Sequence, residues 1–269
     1  MDYLSHFHRE VRAFEAAVRG AVGADGAPLV PSCPGWSVTD LVAHLGGVHR
    51  YVGHIVRGRL QEPPDPADRS FLHLPAERPG RPVSFDNSPH RGPVPGGLVG
   101  WFADGAAALE SLLAGAEPGE PVWTWAPQRD VAFWRRIQAV EAAVHRWDAE
   151  DALGTAQPVD AEFAADAVSH TFEVMAPARR AWRQAPPGKG ERFRFRRTDG
   201  RETWVVRFEG DDVRLGEEGV DDGDADVELA GTASDLMLFL WQRLPADRLD
   251  AVRGERAMAE RYFALVPPV

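Results

Sequence analysis

The chain has 269 residues, 44% of them apolar and 26% charged, the make-up of a soluble globular protein long enough for one large domain or two modest ones. A net charge of −11 with no basic stripe argues against nucleic acid as a partner, and the single cysteine, Cys33, excludes an intrachain disulfide framework and a thiolate-rich zinc site. The start MDYLSHFHREVRAF lacks the layout of a signal peptide and no apolar run reaches membrane-spanning length, so the expectation is a cytoplasmic chain with no membrane partner.

The first half reads as helical. From Tyr3 to Val22, Leu4, Phe7, Val11, Phe14 and Val18 recur at helical spacing. Pro34-Gly35 then makes a turn, and Ser37 followed by Asp40 is the pattern of a capping box that opens a second helix. That helix carries Leu41, Leu45, Val48 and Val52, with His44 among them, and should end near Gly58. Residues 62–97 are rich in proline and glycine and have little periodicity, as in a lid or a long connector flanking a site. A third helix is predicted over Gly97–Leu113 and a fourth from Asp130, which predicts a helical bundle with any site facing its interior.

After Gly154 the texture changes. A helix is expected from Asp160 to about Trp182, then strands ERFRFRRT, ETWVVRFEG, DVRLG and ADVELAG separated by Asp- and Gly-rich turns. The alternation in RFRFRR, Arg192 to Arg197, reads as a strand with one face apolar. Helices over ASDLMLFLWQRL and Glu255–Leu265 close the chain. The sequence thus predicts a four-helix bundle over 1–155 followed by a smaller α+β domain over 156–269.

The fourth helix contains EAAVHRWD, residues 141–148. At about 100° per residue, Glu141, His145 and Asp148 lie on nearly one face. Such a face is either solvated or convergent on a ligand. His44, in a helix whose apolar stripe is otherwise complete, is able to face it. Two imidazoles and a carboxylate form a metal-ligand set with open positions. Asp148, one turn beyond His145, would orient a ligating ring or touch substrate.

PSCPGWSVTDLVAHLGGVHR together with EAAVHRWDAEDALG resembles the mycothiol-dependent maleylpyruvate isomerase family, a branch of the DinB-like four-helix metalloproteins. The likeness continues through Asp160 to Trp182 and into GTASDLMLFLWQRL, which looks like that family's sterol-carrier-like C-terminal domain. The resemblance implies a divalent metal, with zinc expected, held by His44, Glu141 and His145. It also implies mycothiol, the small-molecule thiol of actinobacteria, as cosubstrate. The metal-bound thiolate would add to a conjugated cis double bond and leave after rotation, or transfer to another small-molecule electrophile. Arg243 matches the family arginine that receives a substrate carboxylate. Gln242 stands before it where the family more often has glycine. The expected active site is a cleft between the two domains.

Two other readings use the same residues. The ligand set would also serve a metal hydrolase that needs no thiol. Alternatively, the chain is a non-catalytic ligand-binding or regulatory protein whose triad is hydrogen-bonded and metal-free. Elsewhere, His49 and His54 lie about 140° and 80° around the second helix from His44, too far to share its metal, and read as surface or edge residues. His6 and His8 read as exposed, and His170 has no assigned face. Cys33 has no paired base and reads as structural, and Trp36 reads as an anchor for the turn. DDGDAD, 221–226, lacks EF-hand spacing and reads as a solvated loop. WTW, 123–125, reads as core or as the mouth of a ligand site. The bundle shows no surplus apolar stripe, so a monomer is expected.

Overall fold

The computed structural model describes residues 1–75, 89–216 and 225–268. The chain divides into two compact units, Met1–Gln157 and Pro158–Val269.

The first unit is built from α1 (Tyr3–Gly20), α2 (Val38–Gly58), α3 (Gly96–Gly115) and α4 (Val131–Ala152). Each helix starts where local chemistry favours it, except α3, which begins after Pro95 without a side-chain cap. Asp2 accepts the Ser5 N–H at the head of α1, and Asp130 accepts the Phe133 N–H at the head of α4. At α2 the expected capping box is complete: the Ser37 hydroxyl accepts the Asp40 N–H, and the Asp40 carboxylate accepts the Ser37 N–H at 2.8 Å. α1 packs on α3 and α4, and α2 packs on the same two helices. Phe7, Phe14, Leu41, Leu45, Phe102 and Val140 are fully buried. Each such side chain contributes about 1.5–3 kcal/mol by leaving water. α2 and α3 approach closely at Gly46, where an added Cβ would lie 2.3 Å from the Trp101 ring. Arg146 on α4 is buried and tied to Glu10 on α1 at 2.8 Å and to Glu150 at 2.7 Å.

The second unit places its helices with a five-stranded sheet. β1 (Gly188–Arg197), β2 (Thr203–Gly210), β3 (Asp212–Leu215), β4 (Val227–Gly231) and β5 (Ala251–Gly254) run in the order β3-β2-β1-β4-β5. β1 pairs antiparallel with β2 and parallel with β4, and β5 closes the edge antiparallel to β4. Phe193 and Phe195 alternate inward from β1 and meet Phe208 and Tyr262 in the core. Arg197 shares their parity and is also buried, where Glu162, Asp199 and Glu202 surround its guanidinium at 2.7–2.9 Å.

Several expectations are corrected here. The single helix expected from Asp160 is α5 (Ala161–His170), a π-helical turn at Thr171–Met175 and α6 (Ala176–Arg183). Pro177, which has no N–H to donate, stands in the first turn of α6, directly after the π-helical turn. The helix expected over 233–244 is α7 (Ala233–Leu240), shorter because the chain turns left-handed at Gln242 with φ 59°. β5 was not expected, since AVRG is too short to show alternation. The final helix, α8, spans Arg256–Leu265. Residues 221–224 of the DDGDAD stretch, and 76–88 of the proline-rich stretch, lie outside the described residues.

Candidate metal centre

α2 and α4 bring His44, Glu141 and His145 together, with one donor atom from each lying within 4.8 Å of the other two. The spacing on α4 does this directly: Glu141 and His145 are one turn apart, and His145 Nε2 stands 3.6 Å from a Glu141 carboxylate oxygen. His44 comes from α2 with its ring centroid 5.0 Å from that of His145, the two planes at 77°. His145 is buried, whereas His44 and Glu141 are partly exposed, so the cluster has a solvent-facing side.

The other side of His145 is tightly held. Its Nδ1 lies 2.9 Å from Asp148 Oδ2, and Asp148 is fully buried. Asp148 also accepts the Ser32 hydroxyl at 2.6 Å and the Cys33 thiol at 3.5 Å. Trp36 lies 4.9 Å from the His44 ring and stacks at 6.5 Å on His145. The turn PSCPGW therefore does more than anchor: three of its residues touch the candidate ligands or the carboxylate behind them. Ser32 and the rings over Trp36 are contacts that sequence reasoning missed, although the PSC immediately before the PGW turn is where they come from.

Burial pulls the His145 pKa down, but hydrogen bonds and charge from Asp148 and Glu141 outweigh it and hold it above the ordinary imidazole value. The donor set explains why. If Nδ1–H donates to Asp148, the Nε2 lone pair faces the Glu141 carboxylate, and two acceptors oppose each other across a short gap. A proton or a cation resolves that opposition. The residues thus fit a divalent cation: two imidazoles, one carboxylate, and a buried carboxylate orienting one ring from behind.

His44 also lines a cavity of about 490 Å³ bounded by α2 and residues 63–72, so this part of the proline-rich segment flanks the site. Trp123, from the WTW segment, stands behind it, 6.2 Å from the cavity-lining Tyr51.

The remaining expectations resolve individually. His49 is not a surface residue: it is fully buried, because α2 is covered on the face toward α1 and α3 as well, and its ring sits 5.2 Å from Phe7 and 5.4 Å from Phe102. Burial, with Arg50 and His44 nearby, lowers its pKa to about 3. His54 is half-buried and stacks on Phe71. His8 is exposed, His6 is half-buried and His170 is buried in the second unit. Arg243 belongs to the second unit, where its guanidinium donates to the Trp241 carbonyl at 2.7 Å. The residue before it, Gln242, holds the left-handed conformation that glycine adopts without strain.

Among the described residues, no helix is long and apolar enough to cross a membrane. The mycothiol maleylpyruvate isomerase N-terminal domain model matches residues 5–150, and the corresponding C-terminal domain model matches 162–261. Two solved structures are similar over 92% of this chain and 90% of theirs. One is a crystal structure of the mycothiol-dependent maleylpyruvate isomerase, with 13% identity and a TM-score of 0.57. The other is a histidine-to-alanine mutant of that enzyme, with 12% identity and a TM-score of 0.59. At such identity the likeness bears on the fold. No curated protein sequence matches the chain.

Proposed function

The chain belongs to the mycothiol maleylpyruvate isomerase family, and from that premise we propose that it is a metal-dependent enzyme using mycothiol in a cis–trans isomerisation or a thiol S-transfer to a small electrophile. The observation that carries this reading is the convergence of His44, Glu141 and His145, with His145 Nε2 3.6 Å from a Glu141 carboxylate oxygen. These three residues would hold the ion, and their nitrogen and oxygen donors suit zinc. When bound, a divalent cation supplies the positive charge that keeps a thiol deprotonated near neutral pH.

The chain's own residues do the positioning. Asp148 holds the Nδ1 proton of His145, which fixes the tautomer that turns Nε2 toward the cluster. Ser32 and Cys33 orient the Asp148 carboxylate by donating to it. Trp36 covers the two imidazoles on one side and limits water there. Arg243 is assigned to a substrate carboxylate, in keeping with the bidentate geometry of a guanidinium. In fold terms, we read the first unit as a DinB-like four-helix bundle and the second as a sterol-carrier-like domain.

The test is turnover of maleylpyruvate, or S-conjugation of a small electrophile, with and without mycothiol. Activity should need mycothiol, disappear with a chelator and return with zinc, and Glu141→Gln should be inactive but folded. Turnover that ignores both mycothiol and chelation would overturn the reading.

A further inference from the structure

Two adjacent glycines in the middle of α2 have opposite reasons to be there. Gly46 is required by packing, since a Cβ would strike Trp101. Gly47 is not: a Cβ there would meet nothing within 4 Å, and its backbone has no positive φ. A glycine inside a helix is destabilising by roughly 0.5–1 kcal/mol relative to alanine. What its missing side chain leaves open is the cavity that starts at His44.

The walls of that cavity are apolar and fixed. Val48 and Tyr51 come from α2, and Pro64, Phe71 and Leu72 from the segment opposite. Phe71 is stacked on His54 at 4.5 Å and the Leu72 carbonyl accepts the Trp101 indole N–H at 3.0 Å, so the wall is held in place from behind. The charged residues on the lining are Asp65, Asp68 and Arg69, an acidic surplus. Both aspartates already accept a backbone N–H of their own turn, at 2.8 Å. One lining guanidinium, Arg69, stands against two aspartates and leaves two desolvated carboxylates undercompensated, while a volume near 490 Å³ is that of a small-molecule site.

Resting on the reading of His44 as a metal ligand, we propose that the substrate is an electrophile whose bulk is an uncharged aryl or branched alkyl group. That group lies in the cavity across Gly47, with the reacting atom at the His44 end. A compact dicarboxylate is a poor ligand for the same cavity. Gly47 is then a specificity-determining residue.

The test measures binding to the full-length zinc-treated protein by titration calorimetry. The apolar probe is 4-phenylbutan-2-one, saturated so that the Cys33 thiol cannot add to it, and the compact dicarboxylate is succinate. The ketone should bind about tenfold or more tightly than succinate, and Gly47→Leu should weaken the ketone about tenfold, equivalent to about 1.4 kcal/mol, at unchanged metal content and circular dichroism. If Gly47→Leu does not fold, Val48→Trp fills the same space and is read the same way. Succinate binding as tightly as the ketone, or a ketone affinity that neither substitution moves, overturns the proposal. Metal content separates it from the broader reading: Gly47-dependent ketone binding by a chain that takes up no zinc would keep the cavity assignment and remove the metal centre.

Discussion

Two buried histidines of the first unit occupy opposite kinds of surroundings. His145 has a carboxylate near each ring nitrogen and is driven toward the charged state, whereas His49 lies between phenylalanine rings and is driven to neutrality, with a pKa of about 3. Burial is common to both, so burial alone does not decide what a histidine does. The partners decide it. The polar end of the unit is built to hold positive charge, and the apolar middle is built to exclude it.

The largest expected effect comes from the apolar side. Below pH 6.5 an unfolded chain protonates His49 while the folded chain does not. Stability should therefore fall as pH drops from 6.5 toward 3, by up to about 1.4 kcal/mol per pH unit, and level off below that. His49→Leu should remove this slope in urea titrations at a series of pH values. An unchanged slope would show that the ring is not neutral in the core.

Arg146 extends the comparison to a buried group whose charge is fully matched. Arg146→Ala removes the cation shared by buried Glu10 and Glu150, leaving Glu10 with the 3.4 Å contact from Arg9, and should cost about 3–5 kcal/mol in chemical denaturation. A loss under about 1 kcal/mol would mean that water replaces the guanidinium readily.

Asp148→Asn sharpens the polar side. Removing the charge behind His145 should weaken zinc affinity about 10–100-fold, measured by competition with a chromogenic chelator. In metal-free protein His145 has the opposite pH sign to His49. Its raised pKa contributes stability that is fully present below pH 6.5 and is lost as pH rises through the folded value, and Asp148→Asn should diminish it.

The smallest effects contrast the two glycines of α2. Gly46→Ala should lower stability by about 1–3 kcal/mol through its clash with Trp101, while Gly47→Ala should raise it by about 0.5–1 kcal/mol. Thermal denaturation of the pair separates a glycine kept for packing from one kept for open space.

How far these regions were legible in the sequence follows from the range of the interactions. The capping box at Ser37 and Asp40, and the single face shared by Glu141, His145 and Asp148, depend on neighbours three to seven residues apart, and helical geometry gives them directly. His49 was misread because an angle around α2 says which face a residue occupies, not whether α1 and α3 cover that face. The inward Arg197 follows strand parity, and Asp199 and Glu202 lie in the turn just after it, but its third partner, Glu162, comes from α5 and leaves no periodic trace. The cavity was invisible for a similar reason, since most of its lining comes from a segment with no pattern to read. Gln242 was noticed as a departure from glycine, and only the backbone revealed that it takes glycine's conformation.

The most direct test of the central claim is elemental analysis of wild type and His145→Ala, both purified without a histidine tag. One zinc or other divalent ion per chain in the wild type, absent from a folded His145→Ala, is the predicted result. A wild type that stays free of metal after zinc addition and dialysis would contradict the account, leaving His44, Glu141 and His145 as a protonated, hydrogen-bonded cluster.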